Sequence, residues 1–410
     1  MDRADLVIVG AGTVGGWASY FARTSGAERV VVLEQGRAGD GASSRAAGVV
    51  RAQGGTPTTV TLGRWSIDFY QRQAALLAAD SGFRELGYLI LAVTDDEERV
   101  GRERVAMQRQ AGLDVRWVEP GEAARLDPAL RESSIRGASY APSDGCIDPV
   151  RNVRAYSLAM QAVGVDLRER CAFTNIETAA TASGSRVTAV VTDRGRIETE
   201  RVILTGGPQL RQVGQLIGVP IPAGAVRHQV AVTEPHPAFQ VDRQAMAFDL
   251  AGGLYWRLED GGLMFGMSNP EETPGPARSI DWTYLDAMRR RLAHFLPVTD
   301  GLELRKVWAA TIDYTPDHLP ILGPALTAER SIIDGITVAS AGGHGMMWGP
   351  AVARIAADLA LEGTTTVVDV SELGLDRFDA HGRSRLATDP IALPFPTDAV
   401  PQATGGQARR

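Results

Sequence analysis

The sequence predicts a mixed α/β chain, α+β overall: a parallel-sheet unit built on βαβ elements, joined to a unit with a mostly antiparallel sheet. Three observations carry this. At the start, the β-branched run "DLVIVG" passes through a glycine-rich turn into a helix-forming stretch and then a second β-branched run, "RVVVLEQG". In the second half, "AVRHQVAVTEP", "MAFDLAGGLYWRLE", "GGLMFGMSN" and "LELRKVWAATIDYTP" are short alternating or apolar runs separated by Gly, Asp and Pro, as in an antiparallel sheet. Near the end, "GITVASAGG" followed by "GHGMMWGPAVARIAADLAL" repeats the order of buried strand, glycine turn and helix.

Composition narrows the function classes. A chain of 410 residues is too long for one simple core, and 44% apolar with 22% charged residues is ordinary for a globular protein. A net charge of -7, with no dense Lys/Arg run, excludes nucleic acid as the expected partner. Cys146 and Cys171 provide neither a disulfide framework nor four zinc ligands, and read as buried reduced thiols. No apolar run approaches the ~20 residues that span a bilayer, and "LVIVGAG" is unlike a signal peptide, so a cytoplasmic location is expected.

The opening stretch has its own logic. Gly10 and Gly12 permit a tight turn and a close backbone approach to phosphate, and Gly15 lets the following helix pack on the sheet. The free N–H groups of that helix point at a pyrophosphate. Glu34, ending the second strand, is placed to accept ribose hydroxyls and would repel a 2′-phosphate. The element is therefore a Rossmann-like dinucleotide site that disfavours NADP, but the motif alone does not separate NAD from FAD.

After Glu34 comes "QGRAGDGASSRAAGVVRAQGG", a run of small residues carrying Arg45 and Arg51. Backbone of this kind can lie along an extended, rigid ligand. Here the chain resembles the FAD-dependent glycine/D-amino-acid oxidase (DAO) and sarcosine oxidase superfamily. The resemblance continues through "SDGCIDPVRNVRAYSLAMQAVGVDL", "RVTAVVTDRGRIETERVILTGGPQL" and "YTPDHLPILGP" to the closing strand and helix. In the first of these, Asp148 as N-cap and Pro149 at the first helical position are also what helix physics predicts.

The resemblance implies FAD, which Ala310, a departure from the family, predicts to be non-covalent, held by Gly10, Gly12, Gly15 and Glu34, by Gln35, Ser43, Ser44, Arg45, Ala47 and Gly48, by Phe173, Gly206 and Gly207, and by Gly343, His344, Gly345 and Met346. It also implies a discontinuous FAD-binding domain, residues 1–85, 148–218 and 322–370, with 86–147 and 219–321 forming the substrate domain. A C-terminal extension, 371–410, ends in a small, polar tail expected to be disordered. The charged stretch beginning "DDEERVGRERVAMQRQ" reads as a solvated cover, and "DWTYLDAMRRRLAHFLP" as an amphipathic helix.

Substrates of the resembled family are amino or N-alkylamino acids, whose carboxylate an arginine fork holds best. Candidates are Arg45, Arg227 and above all Arg257, which alternation puts on one strand face with Tyr255, a hydrogen-bond donor. His228 is a candidate base for the amine proton or a sheet histidine bonded to backbone; His344 is a spacer over the flavin or a catalytic group. Trp308 and Tyr314 are expected to wall the pocket. His236, His294, His318 and His381 lack metal-site spacing, so no metal is expected.

Two departures from the family stand out. Ala310 occupies the place of a cysteine that bonds flavin covalently in monomeric sarcosine oxidase, and Met264 the place of a lysine that assists oxygen activation there. The electron acceptor is therefore oxygen or another carrier. The leading reading is oxidation of an amino-acid C–N bond to an imine. Oxidation of a 2-hydroxy acid or polyol phosphate, and a flavin-holding subunit that needs a partner chain, are the alternatives; a homo-oligomer is also compatible.

Overall fold

The computed structural model describes residues 2–182, 184–239 and 244–391. The tail for which disorder is expected lies outside them.

Among the described residues, nine strands form one sheet and eight form another. The first is ordered Phe173–Thr181, Gly184–Thr192, Ile332–Ser340, Val202–Leu204, Leu6–Val9, Val30–Glu34 and Asp166–Glu169, with Gly195–Glu198 and Ile321–Leu326 pairing off this path. Its centre is parallel: Leu6–Val9 lies between Val30–Glu34 and Val202–Leu204, the first joined to it by the right-handed βαβ route through helix Thr13–Thr24. All four residues of Leu6–Val9 are buried, because helices cover one face and a second apolar cluster the other. Thr13–Thr24 packs with helices Pro149–Ala162 and Gly349–Glu362 in the first cluster. Asp148 caps Pro149–Ala162 as read from sequence, its Oδ1 accepting from the N–H groups of Val150 at 2.8 Å and Arg151 at 3.0 Å.

The second sheet runs Leu304–Tyr314, Gly224–Thr233, Gly262–Met267, Leu254–Glu259, Met246–Asp249, Tyr88–Ala92, Gly137–Ala141 and Arg116–Val118. Every pair in it is antiparallel except Met246–Asp249 with Tyr88–Ala92. The amphipathic helix Trp282–Phe295, capped by Asp281, sets Leu285, Met288, Leu292 and Phe295 in this sheet's core. At the other end of that core, buried Asp127 accepts from Trp256 Nε1 at 2.8 Å and Gln244 Nε2 at 2.7 Å. The charged helix Asp95–Gln110 is more than a solvated cover. Its Thr94–Glu97 capping box starts it, and its inner face buries Gly101, Arg104, Val105 and Gln108. No helix among the described residues is long and apolar enough to cross a membrane.

Candidate active site

A cavity of about 380 Å³ opens between the two sheets, lined by Val9, Leu33 and Ala339 of one and by Tyr88, His228, Phe248, Tyr255 and Ala310 of the other. At one end it is bounded by the glycine turn. Gly10 adopts φ +102°, a conformation only glycine takes freely, with the Thr205 carbonyl directly against it. Gly12 caps helix Thr13–Thr24 without a side-chain bond, and no acidic residue stands in the first turn, so the helix start stays electropositive. Ser43 locks the turn by accepting the Thr13 N–H at 3.0 Å. Glu34 Oε2 accepts from Ala11 N at 3.0 Å and its Oε1 from Gly36 N at 2.8 Å, which fixes the carboxylate at the cavity wall.

Most residues proposed from sequence for the cofactor line this cavity: Gly10, Gly12, Glu34, Gln35, Ser43, Arg45, Ala47, Gly48, Phe173, Gly206, Gly207, Gly343, His344, Gly345 and Met346. Gly15 and Ser44 are not among its lining. Gly15 sits one turn behind, where a Cβ would collide with the Gly10 carbonyl oxygen. Ser44 is tied into its own loop, its N–H donating to the Gly39 carbonyl at 3.1 Å.

At the other end His228, Tyr255, Tyr88, Phe248 and Arg51 converge with His344. His228 Nε2 and the Tyr255 hydroxyl are 2.8 Å apart and their rings stack at 14°. His228 Nδ1 is buried without a partner. Burial pulls the His228 pKa down to about 4 and pushes the Tyr255 hydroxyl far up, so both are neutral at physiological pH. His344, its Nδ1 3.0 Å from the Gly342 carbonyl, lies over Trp348 with ring centroids 4.2 Å apart; burial pulls its pKa to about 3. It too is neutral. Asp313, also on the wall, is pushed up by burial while accepting from Ser340 Oγ at 2.9 Å.

Arg257 does not line the cavity. It does share a strand face with Tyr255, but its Nε donates to the Ala47 carbonyl at 3.0 Å and its Nη1 to Leu258 O and Glu259. One bond thus holds the small-residue loop, and the others tie the guanidinium to its own strand. Arg227 is spent on Glu272, with two bonds of 2.9 Å, and Arg45 folds onto Asp40 and Gly41 of its own loop. Trp308 and Tyr314 do not wall the pocket; Ala310, Ile312 and Asp313 do. Trp308 instead donates to the Arg45 carbonyl at 2.9 Å. Alternation gives Trp308, Ala310, Ile312 and Tyr314 one strand face, so position along the strand, not side, separates the lining residues from the others.

Sequence reasoning passes over Arg51, which is 5% exposed and lines the cavity. Its guanidinium donates to the carbonyls of Gln53 and, at 2.8 Å, of Ile391, and no ion pair forms with it among the described residues. The signal was its position, six residues beyond Arg45 in the same loop; its burial was not legible. Neither Met264 nor Lys306, the chain's one lysine, lines the cavity; Lys306 lies over Trp308, 4.8 Å from the ring centre.

The sequence matches the family model "FAD dependent oxidoreductase" (DAO) over residues 5–359. It is 27% identical over 392 residues to 4-methylaminobutanoate oxidase (formaldehyde-forming) of Paenarthrobacter nicotinovorans, covering 92% of this chain and 46% of the relative. To glycine oxidase of Geobacillus kaustophilus it is 28% identical, covering 92% of this chain and 97% of the relative. The crystal structure of that glycine oxidase matches with a TM-score of 0.78 at 26% identity, over 92% of this chain and 100% of the other. L-proline dehydrogenase of P. horikoshii shares the fold, with a TM-score of 0.80 at 22% identity over 89% and 95%. The chain spans a little under half the length of several curated relatives, mitochondrial dimethylglycine dehydrogenase of Rattus norvegicus among them. With the nucleotide turn, the small-residue loop and the closing glycine turn gathered on one cavity, the chain belongs to the FAD dependent oxidoreductase (DAO) family.

Proposed function

We propose that the protein oxidises the C–N bond of an amino or N-alkylamino acid to an imine, which water then hydrolyses. The observation that carries this reading is Arg51: a buried guanidinium on the wall of the cavity that His228 and Tyr255 also line, in no salt bridge among the described residues, with the buried Asp144 carboxylate acting on it only at longer range. A buried cation with no carboxylate in direct contact is costly, so a cavity wall that keeps one is suited to receive an anion. The α-carboxylate of an amino acid is that anion. Relatives named for glycine, methylaminobutanoate and dimethylglycine share this substrate class.

The residues present fit FAD: glycines that leave no room for a Cβ, an uncapped helix start and a fixed acidic side chain at the strand end. Gly10, Gly12, Ser43 and Glu34 would hold its pyrophosphate and ribose, and Ala47, Gly48, Gly343 and His344 its ring, within the discontinuous unit 1–85, 148–218 and 322–370. Bound there, FAD supplies the two-electron acceptor for a hydride leaving the substrate carbon. Around it, Arg51 fixes the carboxylate, and Tyr255 donates to substrate with His228 orienting its hydroxyl. Arg257 acts at one remove as a positioning residue, holding the Ala47 backbone that would help hold the cofactor. His228 and His344, both neutral, place no positive charge beside the substrate amine. Ala310, where the covalent linkage of sarcosine oxidase would need a cysteine, supports non-covalent attachment, and Met264 supports an acceptor other than oxygen.

The test is anaerobic bleaching of the flavin in the purified protein by a panel of amino acids, N-methylamino acids, simple amines and 2-hydroxy acids, followed by air. Bleaching confined to carboxylate-bearing amines is the expected result, and slow recovery in air marks a dehydrogenase. Bleaching by hydroxy acids alone overturns the reading. Arg51→Lys keeps the charge but loses the fork, and should raise KM for the active amino acid about tenfold or more.

A further inference from the structure

Ile391 and Asp389 belong to the C-terminal extension, yet both are buried. Ile391 packs in one apolar cluster with Tyr88, Phe248 and Tyr255, all three of which line the cavity. Its carbonyl receives Arg51 Nη2 at 2.8 Å, and its N–H donates to Asp389 Oδ1 at 2.9 Å. Asp389 is itself held from behind: its N–H donates to the Asp317 carbonyl at 3.0 Å, and its side chain lies so close to Gly55 that a Cβ there would strike it. From the other side Arg104, of helix Asp95–Gln110, places its charge near Asp389. A turn tied on three sides therefore ends in the one carbonyl from outside its own loop that, among the described residues, holds Arg51.

We infer that the Asp389–Ile391 turn positions the Arg51 guanidinium and so sets the affinity of the site for the substrate's carboxylate. The inference rests on the role given to Arg51 above. A guanidinium has three rotatable bonds or more to lose, and one fixed in place before binding forfeits less freedom when a carboxylate docks. Without the Asp389 acceptor the Ile391 peptide is free to turn, and Arg51 keeps only the Gln53 carbonyl of its own loop.

Calorimetric titration of the holoenzyme with propanoate and with its neutral isostere propanamide tests this. Asp389→Ala should weaken propanoate about tenfold, as expected for a hydrogen bond to a charged group, and leave propanamide unchanged. Asp389→Asn retains Oδ1 and should bind propanoate within about twofold of the unaltered protein. With the amino acid that bleaches the flavin, Asp389→Ala should raise KM and leave kcat alone. Equal loss of both ligands, or loss of neither, overturns the inference. Arg51→Lys separates the two levels: if it leaves propanoate binding intact, the role of Arg51 itself fails, whereas if it weakens binding and Asp389→Ala does not, only the positioning turn fails.

Discussion

At the scale of the residue, the cavity is a place where burial removes charge from histidines. His228 has Tyr255 as its hydrogen-bonding partner and a pKa near 4, far too low to keep a proton taken from an ammonium group at neutral pH. Its contribution is to fix the Tyr255 hydroxyl. Below the alkaline limb, kcat/KM should climb about tenfold per pH unit towards the pKa of the substrate amine, with no inflection from His228 between pH 5 and 8. Stopped-flow flavin reduction across that range checks it. The same shift acts on stability. The unfolded chain binds the His228 proton below about 6.5 and the folded one only near 4, so stability is full above 6.5 and declines as pH falls between these values. Urea unfolding at pH 7 and pH 5 should show this decline, and His228→Asn should reduce it. Tyr255→Phe strips the pair of its hydroxyl, leaves the imidazole without a partner, and should lower kcat/KM by about tenfold to a hundredfold.

At the scale of the element, the nucleotide turn depends on contacts between backbones. Gly15 belongs to helix Thr13–Thr24, and a methyl group there meets the Gly10 carbonyl, which cannot rotate away as a side chain could. Gly15→Ala should therefore destabilise by about 1–3 kcal/mol and loosen the turn at the same time. Urea unfolding gives the first quantity, and the flavin-to-protein absorbance ratio after gel filtration gives the second. The closing helix Gly349–Glu362 makes a different point. Its turn contributes Gly343 and His344 to the cavity wall, while Trp348 and Ala351 pack into the core beside Thr13–Thr24. One short segment thus couples the shape of the cavity to the packing of the sheet.

At the scale of the whole molecule, polar bonds tie the antiparallel sheet to the small-residue loop on the cavity wall. Arg257 reaches from the antiparallel sheet to the Ala47 carbonyl, and Trp308 to that of Arg45. Behind them, Arg377 and Asp317 form a fully buried bidentate pair with bonds of 2.7 and 3.0 Å, to which Ser384 adds a third at 2.6 Å. Burial pushes the Asp317 carboxyl up, but the hydrogen bond and charge of Arg377 outweigh it and leave the pKa below its usual value. Stability from this pair is present above the ordinary carboxylate pKa and is lost as pH falls through the lower folded value. Arg377→Met leaves Asp317 buried and unpaired, and should cost about 3–5 kcal/mol in urea unfolding at neutral pH. Because the pair anchors the extension that carries Ile391, the same variant should also weaken propanoate binding.

The local elements were legible because their causes are local. The Gly10–Gly15 turn, the Asp148 cap, the alternating runs of the second sheet and the face shared by Tyr255 and Arg257 follow from residue type and spacing within a few positions. What those side chains meet was decided by folding. Arg257 is the better-placed arginine by sequence, yet a carbonyl 210 residues away in the chain takes its Nε. Arg51 is unremarkable by sequence, yet it lines the cavity without a salt bridge among the described residues, because the residues that bury it come from strands and an extension far along the chain. Periodicity specifies which side of an element is apolar. It carries no information about which distant backbone oxygen will satisfy a guanidinium, and that choice separates a structural arginine from a binding one.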